Sequence, residues 1–292
     1  MRLLATMAAG LVACTYSADF NGARFACDSL TPCPDGVACI DGYCQAPPLD
    51  AASDRPDATG DRPDAGDDRL HWVSSAVGSV DAVMFDSLES DTIDGQPGDL
   101  YVVFVSIKPA RDITTVSGLG LSWTKAREQC TGRSTARFAM FWALDTSGVS
   151  GRVTAAFAAS ATPSSAVISV HRYAGADATS PVGDVSGANS NGHDGDADCS
   201  GGVDTAMYSW SSLDTAGTDS IVVSGVHTAN YQSHAPGDGF TERSDDQSGG
   251  TSISAGVAVE ERQVAQPTSN VKVSGGWDNA PDWAAIAAEL RD

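Results

Sequence analysis

The 292-residue chain carries three lysines, Lys108, Lys125 and Lys272, and 17 basic residues in all against 38 acidic ones. Its net charge of −21 is spread along the sequence, with none of the clustered cations that a phosphate backbone requires. Nucleic acid is therefore excluded as a partner, and direct electrostatic attachment to anionic lipid is disfavoured for the same reason. No apolar run reaches the roughly 20 residues of a membrane-spanning helix. Long amphipathic helices alternating with strands are missing too, which argues against a parallel α/β sheet. Catalytic signatures are equally scarce. His71, His171, His193, His227 and His234 form no H-E-x-x-H pattern, and no serine lies in G-x-S-x-G. Among the glutamates, Glu128, Glu260 and Glu261 are available to a glycosidase, but adjacent Glu260 and Glu261 would point to opposite faces of a strand. The expectation is a protein without catalytic activity.

Cysteine, by contrast, is present and odd in number: seven. Met1-Arg2 precedes a short apolar run, Leu3 to Ala13, too short to span a bilayer and typical of an export signal. Leu11-Val12-Ala13-Cys14 closely resembles the lipobox of bacterial lipoproteins. That resemblance implies a signal peptide over residues 1–13, acylation of Cys14 as the mature N-terminus, and attachment to a membrane through lipid. Several acyl chains hold durably where one holds marginally. Thr15 follows Cys14 in place of the aspartate that retains such proteins at the inner membrane, so the implied location is the outer membrane or cell surface.

Setting Cys14 aside leaves six cysteines in two groups. Cys27, Cys33, Cys39 and Cys44 are separated by five, five and four residues, without the C-x₂-C pairs of zinc modules. Export favours disulfides among them, and spacing does not choose between the three connectivities. Cys130 and Cys199 are the one pair in the rest of the chain and are expected to bond to each other.

Residues 14–44 are too few to build a core unaided, so they read as a lipid-anchored, disulfide-stabilised module. Their Cys33-Pro34-Asp35-Gly36 and Cys39-Ile40-Asp41-Gly42-Tyr43-Cys44 segments resemble the cysteine-rich stubs that follow the lipobox in myxobacterial-type surface lipoproteins. Residues 45–69 contain Asp54-Arg55-Pro56-Asp57-Ala58 and its repeat Asp61-Arg62-Pro63-Asp64-Ala65 and no aromatic residue. Proline and net negative charge make this a disordered, extended spacer.

Residues 70–292 read as one all-β domain. Asp99 to Ile107, Arg137 to Leu144, Ala166 to Tyr173 and Ser220 to Val226 are apolar at successive positions, as strands buried on both faces are, and turn-forming clusters separate them. An antiparallel β-sandwich of two packed sheets is the expected solution. Residues 282–291 have local helix propensity, with Trp283, Ile286 and Leu290 at helical spacing. Yet Trp283-Ala284-Ala285-Ile286-Ala287-Ala288-Glu289-Leu290-Arg291 resembles the closing strand of a jelly-roll-like domain of bacterial secreted proteins. Gly98-Asp99-Leu100, Gly118 to Thr124 and Tyr173 to Ala176 echo the same domain, which implies a strand here and carries no single chemistry.

Two candidate sites follow. Asp194, Asp196 and Asp198 alternate as at the start of an EF-hand loop, but Cys199 and Thr205 replace its glycine and bidentate glutamate. The segment is a candidate for a looser Ca²⁺ loop helped by Asn189, Asn191 or Asp204; the alternative is a solvated loop tethered by Cys199. Of the six tryptophans, Trp142 and Trp283 lie in apolar strands. Trp277 in Gly275-Gly276-Trp277-Asp278-Asn279, and Trp210 beside Tyr208, are in polar stretches and are the candidates for stacking on a ligand.

The sequence thus points to a non-catalytic surface lipoprotein that presents a carbohydrate-binding or adhesive β-sandwich, its partners a membrane and a glycan or surface protein. A structural or protein-adhesion module and an exported polysaccharide hydrolase are the alternatives. Cys14→Ser is expected to abolish acylation and release the protein from membranes, read by fractionation; retention of the variant in the membrane pellet at the wild-type level refutes the anchor.

Overall fold

The computed structural model describes residues 38–40, 43–45, 69–82, 84–159, 164–230, 232–249 and 254–292. The chain divides into two units, Met1–Pro63 and Asp64–Asp292. In the first, β1 (Ala38–Ile40) and β2 (Tyr43–Gln45) form an antiparallel pair in which Cys39 lies opposite Cys44. Cys14, Cys27, Cys33 and nearly all of the spacer lie outside the described residues.

Among the described residues the second unit holds seventeen strands: β3 (His71–Ala82), β4 (Ser87–Glu89), β5 (Leu100–Lys108), β6 (Ile113–Gly118), β7 (Thr124–Cys130), β8 (Arg137–Leu144), β9 (Val153–Phe157), β10 (Ser164–Ala174), β11 (Val182–Asn189), β12 (Gly192–His193), β13 (Met207–Thr215), β14 (Ser220–Thr228), β15 (His234–Pro236), β16 (Thr241–Gly249), β17 (Ser254–Val264), β18 (Thr268–Trp277) and β19 (Trp283–Leu290). It is an antiparallel sandwich, as expected, but of four layers rather than two. The first inner sheet runs β3-β10-β5-β8-β7 and the second β12-β11-β19-β14-β17-β16. An outer sheet, β4-β9-β6, covers the first, and another, β13-β18-β15, covers the second.

Double coverage explains the continuous apolar runs. On β5, Leu100, Val102 and Phe104 enter the central cluster between the inner sheets. The alternate residues Tyr101, Val103, Val105 and Ile107 enter the cluster under the first outer sheet. The strand at the C-terminus obeys the same rule. Ala284, Ile286 and Ala288 face the centre while Trp283, Ala285 and Ala287 face the second outer sheet, and all eight residues of β19 are buried. Burial on two faces, with β11 and β14 on either side, overrides the helical preference of the alanines.

The two halves of the sandwich repeat one topology. Strand for strand, β3-β10-β5-β8-β7 corresponds to β11-β19-β14-β17-β16, and β4-β9-β6 to β13-β18-β15. Details recur with it. The edge strands β7 and β16 each shift register at the matching place, between Lys125 and Arg127 and between Glu242 and Ser244. The Phe157 amide donates to Asp86 O at 2.8 Å, and the Trp277 amide donates to Ala206 O at 2.8 Å. Matching core-facing residues of β5 and β14 pairs Phe104 with Gly225 and Ser106 with His227. Both pairs meet across the inner sheets: a Cβ on Gly225 would overlap the Phe104 ring, and Ser106 Oγ lies 2.5 Å from His227 Nδ1. The halves are therefore related by an approximate twofold axis through the central cluster. Cys130 at the end of β7 is bonded to Cys199, 69 residues on, which ties the first half covalently to the second.

His171 and His227 are fully buried in this central layer. Trp72 Nε1 donates to His171 Nδ1 at 3.3 Å, leaving His171 Nε2 to donate to Ser169 Oγ at 2.9 Å. Burial lowers His171 to about 3 and His227 to about 4, so both are neutral in the fold. Because their folded values lie below the unfolded one, their contribution is complete above about pH 6.5 and is lost as pH falls, at roughly 1.4 kcal/mol per pH unit for each histidine. His227→Gln is expected to reduce the slope of unfolding free energy between pH 6 and 4.5 by about that amount, measured by denaturant titration; an unchanged slope refutes the assignment.

Candidate functional site

The first strands of the second half converge on a cleft. The end of β11, β12 and the start of β13 frame a cavity of about 280 Å³, lined by Asn189, Ser190, Asn191 and His193 on one side and by Thr205, Met207, Tyr208, Ser209, Trp210 and Trp283 on the other. Alternation along β13 sets its chemistry. Tyr208 and Trp210 point inward and are buried, while Met207 and Ser209 point outward. Met207 is 76% exposed, and Val203 in the preceding loop is 71% exposed, so two large apolar side chains stand in solvent in this region.

The Asp194–Asp198 segment lies beside this cleft, but it does not gather its carboxylates. Among the described residues, no group of three or more His, Cys, Asp or Glu side chains is placed to hold a metal ion. Asp194 accepts from Arg127 Nη1 at 2.8 Å, Ser212 Oγ at 2.5 Å and the Gly187 amide at 3.2 Å. Burial would raise its carboxyl, and these bonds outweigh it and hold it below its ordinary value. Asp196 and Asp198 are exposed. The calcium expectation is thereby corrected: Asp194, the first residue of a single 3₁₀ turn, has turned toward Arg127 on β7.

Amides order the loop instead. Asn189 Nδ2 donates to Cys130 O, Ala197 O and Asp198 O at 3.0, 3.2 and 2.9 Å. Asn191 Nδ2 reaches Gly132 O, Asp198 O and Ser200 O at 3.2, 2.6 and 2.9 Å. Asp204 is paired with Arg133 at 2.9 Å. With the Cys130–Cys199 bond, these contacts fix one wall of the cleft to the first half of the sandwich.

The tryptophans are also placed differently from expectation. Trp277 is 7% exposed, and Trp210 and Trp283 are each 5% exposed. Gly275-Gly276 is not a turn but the end of β18, opposite Tyr208 and Met207, and the missing Gly275 side chain makes room for the Tyr208 hydroxyl. Trp277 therefore enters an aromatic cluster with Tyr208 and Trp283, its ring 5.2 and 6.3 Å from theirs. It does not line the cleft. Trp210 does line the cleft, as an inner wall rather than an open platform.

Below that wall runs a polar chain. Glu242 Oε2 lies 2.7 Å from His234 Nδ1, His234 Nε2 lies 2.8 Å from the Tyr208 hydroxyl, and that hydroxyl lies 3.0 Å from Glu260 Oε1. The Gly237 amide donates to Glu260 Oε2 at 3.0 Å. Burial pushes Glu260 up to about 7 and His234 down to about 4. Glu261, on the opposite face of β17, pairs with Arg243 at 2.5 Å, so the two neighbouring glutamates share no site. Sequence spacing linked Tyr208, His234, Glu242 and Glu260 in no way, because four different strands supply them.

No protein family, no curated protein and no solved structure matches this chain.

Trp277→Ala is expected to destabilise the fold by about 3–5 kcal/mol, as truncation of a buried aromatic does, measured by denaturant unfolding. A loss under 1 kcal/mol would return Trp277 to the surface.

Proposed function

We propose that this chain is an exported, lipid-anchored surface protein whose β domain binds neutral carbohydrate in the cleft between residues 188–193 and 205–210, without cleaving it. The observation that carries this reading is the cleft itself: an aromatic wall of Trp210, Trp283 and Tyr208 faced by amide and hydroxyl side chains on a loop fixed by a disulfide. Apolar walls with a few placed polar groups suit a small neutral ligand. The net charge of −21 disfavours bare polyanions. The absence of cleavage is supported by the carboxylates: Glu260 is buried beneath the wall and engaged by Tyr208 and Gly237, and Glu261 points away. Lipid attachment rests on Leu11-Val12-Ala13-Cys14, and no helix among the described residues is long and apolar enough to cross a membrane.

One observation favours protein adhesion as the second reading: Met207 and Val203 expose apolar surface beside the cleft. A glycan array separates the two. The wild-type domain is expected to bind a subset of neutral glycans without releasing products. Ser209→Trp, which fills the outer side of the cleft, should abolish binding while leaving the melting temperature within a few degrees, since Ser209 is exposed. No binding across the array favours adhesion, and released oligosaccharide revives the hydrolase.

A further inference from the structure

The repeated topology supplies an internal comparison for the polar chain. Tyr208 lies opposite Gly275 on β18, and Leu88 lies opposite Ala155 on β9. His234 lies opposite Trp277, and Ile113 opposite Phe157. Glu260 lies between Ser224 and Glu242, and Phe141 between Val103 and Lys125. The first half thus fills the four positions with Leu88, Ile113, Phe141 and Lys125. The three apolar side chains pack in the first outer cluster, and Lys125 reaches out to Ile113 O at 2.7 Å and to Glu128 at 2.7 Å. The same architecture therefore stands without a titratable chain at these four positions. Buried ionic networks are seldom better for stability than well-packed hydrocarbon, so the chain in the second half is not explained by the needs of the fold.

Proton counting shows what it can do. Three hydrogen-bonded gaps separate the four groups, and each needs one proton. With both carboxylates charged and His234 neutral, His234 and Tyr208 supply two protons for three gaps. One gap then sets lone pair against lone pair. A third proton on Glu260 completes the chain: Glu260 donates to Tyr208, Tyr208 to His234 Nε2, and His234 Nδ1 to the Glu242 carboxylate. Burial places the titration of Glu260 near neutrality, and it leaves His234 neutral there. The surroundings offer little compensation. From β16 come Glu242 and Asp245, the latter accepting from the His234 amide at 3.0 Å. β17 adds Arg262, a cation that weakly favours the charged form of Glu260. β13 adds Tyr208, β15 adds His234, and β18 and β14 bring Gly275, Trp277 and Ser224, none of which titrates.

We propose that the Glu242–His234–Tyr208–Glu260 chain is a proton-operated switch that regulates the cleft through Tyr208, the residue shared by chain and cleft wall. Loss of the Glu260 proton breaks one link and leaves a charge beneath the aromatic cluster of Tyr208, Trp210, Trp277 and Trp283. That cluster must then rearrange, and the cleft wall with it.

Tryptophan emission of the full chain between pH 5.5 and 8.5 reads the switch directly. Wild type is expected to show one transition near pH 7, and Glu260→Gln none, with near-UV circular dichroism reporting the fold. If Glu260→Gln does not fold, Tyr208→Phe decides: losing a donor to the carboxylate should move the midpoint upward. Absence of a wild-type transition between pH 6 and 8, a transition retained in Glu260→Gln, or an unmoved midpoint in Tyr208→Phe each overturns the proposal. The link to the cleft rests on the carbohydrate reading. An array-identified glycan should change its affinity about fivefold or more between pH 6 and 8. Equal affinity at both pH values overturns the coupling, whereas no glycan binding at any pH removes the carbohydrate reading and leaves the emission result to judge the switch.

Discussion

Everything in the large unit depends on two sheets, of five and six strands, buried against each other and covered again on their outer faces. A strand in that position must be apolar at every residue, because neither face meets water. β5, β8, β10, β14, β17 and β19 meet most of the demand with valine, isoleucine, phenylalanine and alanine, and two of the departures from it show how a polar group is accommodated there. His171 is held neutral between Trp72 and Ser169, and Glu261 is matched by Arg243, whose guanidinium lies 4.6 Å from the Trp72 ring. The close approach at Gly225 follows from the same constraint. Strands of the two halves meet at the twofold axis, and a side chain there would displace Phe104.

Much of this was legible. Continuous apolar runs announced strands buried on both faces, and the even cysteine count of the large unit announced the Cys130–Cys199 bond. The closing strand was correctly read against its own propensity. What could not be read was the repeat. Leu100–Lys108 and Ser220–Thr228, or Ser164–Ala174 and Trp283–Leu290, share a buried pattern but few identities, since many apolar side chains satisfy the same burial. The four-layer arrangement was hidden for the same reason: a doubly buried strand does not say what covers it.

Two of the segments singled out in the sequence border one cleft, but their side chains are placed differently from expectation. Trp210 and the 189–199 segment do border the cleft, yet the polar spacing that suggested exposed tryptophans and a cation loop has other causes. Glycine at 275 and 276 serves close packing within a strand rather than a turn, and the aspartate at 194 serves an arginine from the other half. One-dimensional spacing cannot distinguish a carboxylate that waits for a ligand from one already satisfied by a residue 67 positions away.

The comparison between the halves carries the argument further than either half alone. Both have the same strand order, the same bulge and the same outer-sheet hydrogen bond, so differences between them are not dictated by architecture. The first half fills its outer cluster with apolar packing, and Leu88, Ile113 and Phe141 occupy the positions of the chain. In the second half the same layer holds three tryptophans, a tyrosine and a titratable chain, and the loop after β11 is braced by two asparagines and a disulfide. Buried polar groups are costly unless each is satisfied, and a fold that can be built without them gains nothing in stability from carrying them. The Glu242–His234–Tyr208–Glu260 chain has no counterpart at the matching positions of the first half, and it borders the cleft through Tyr208.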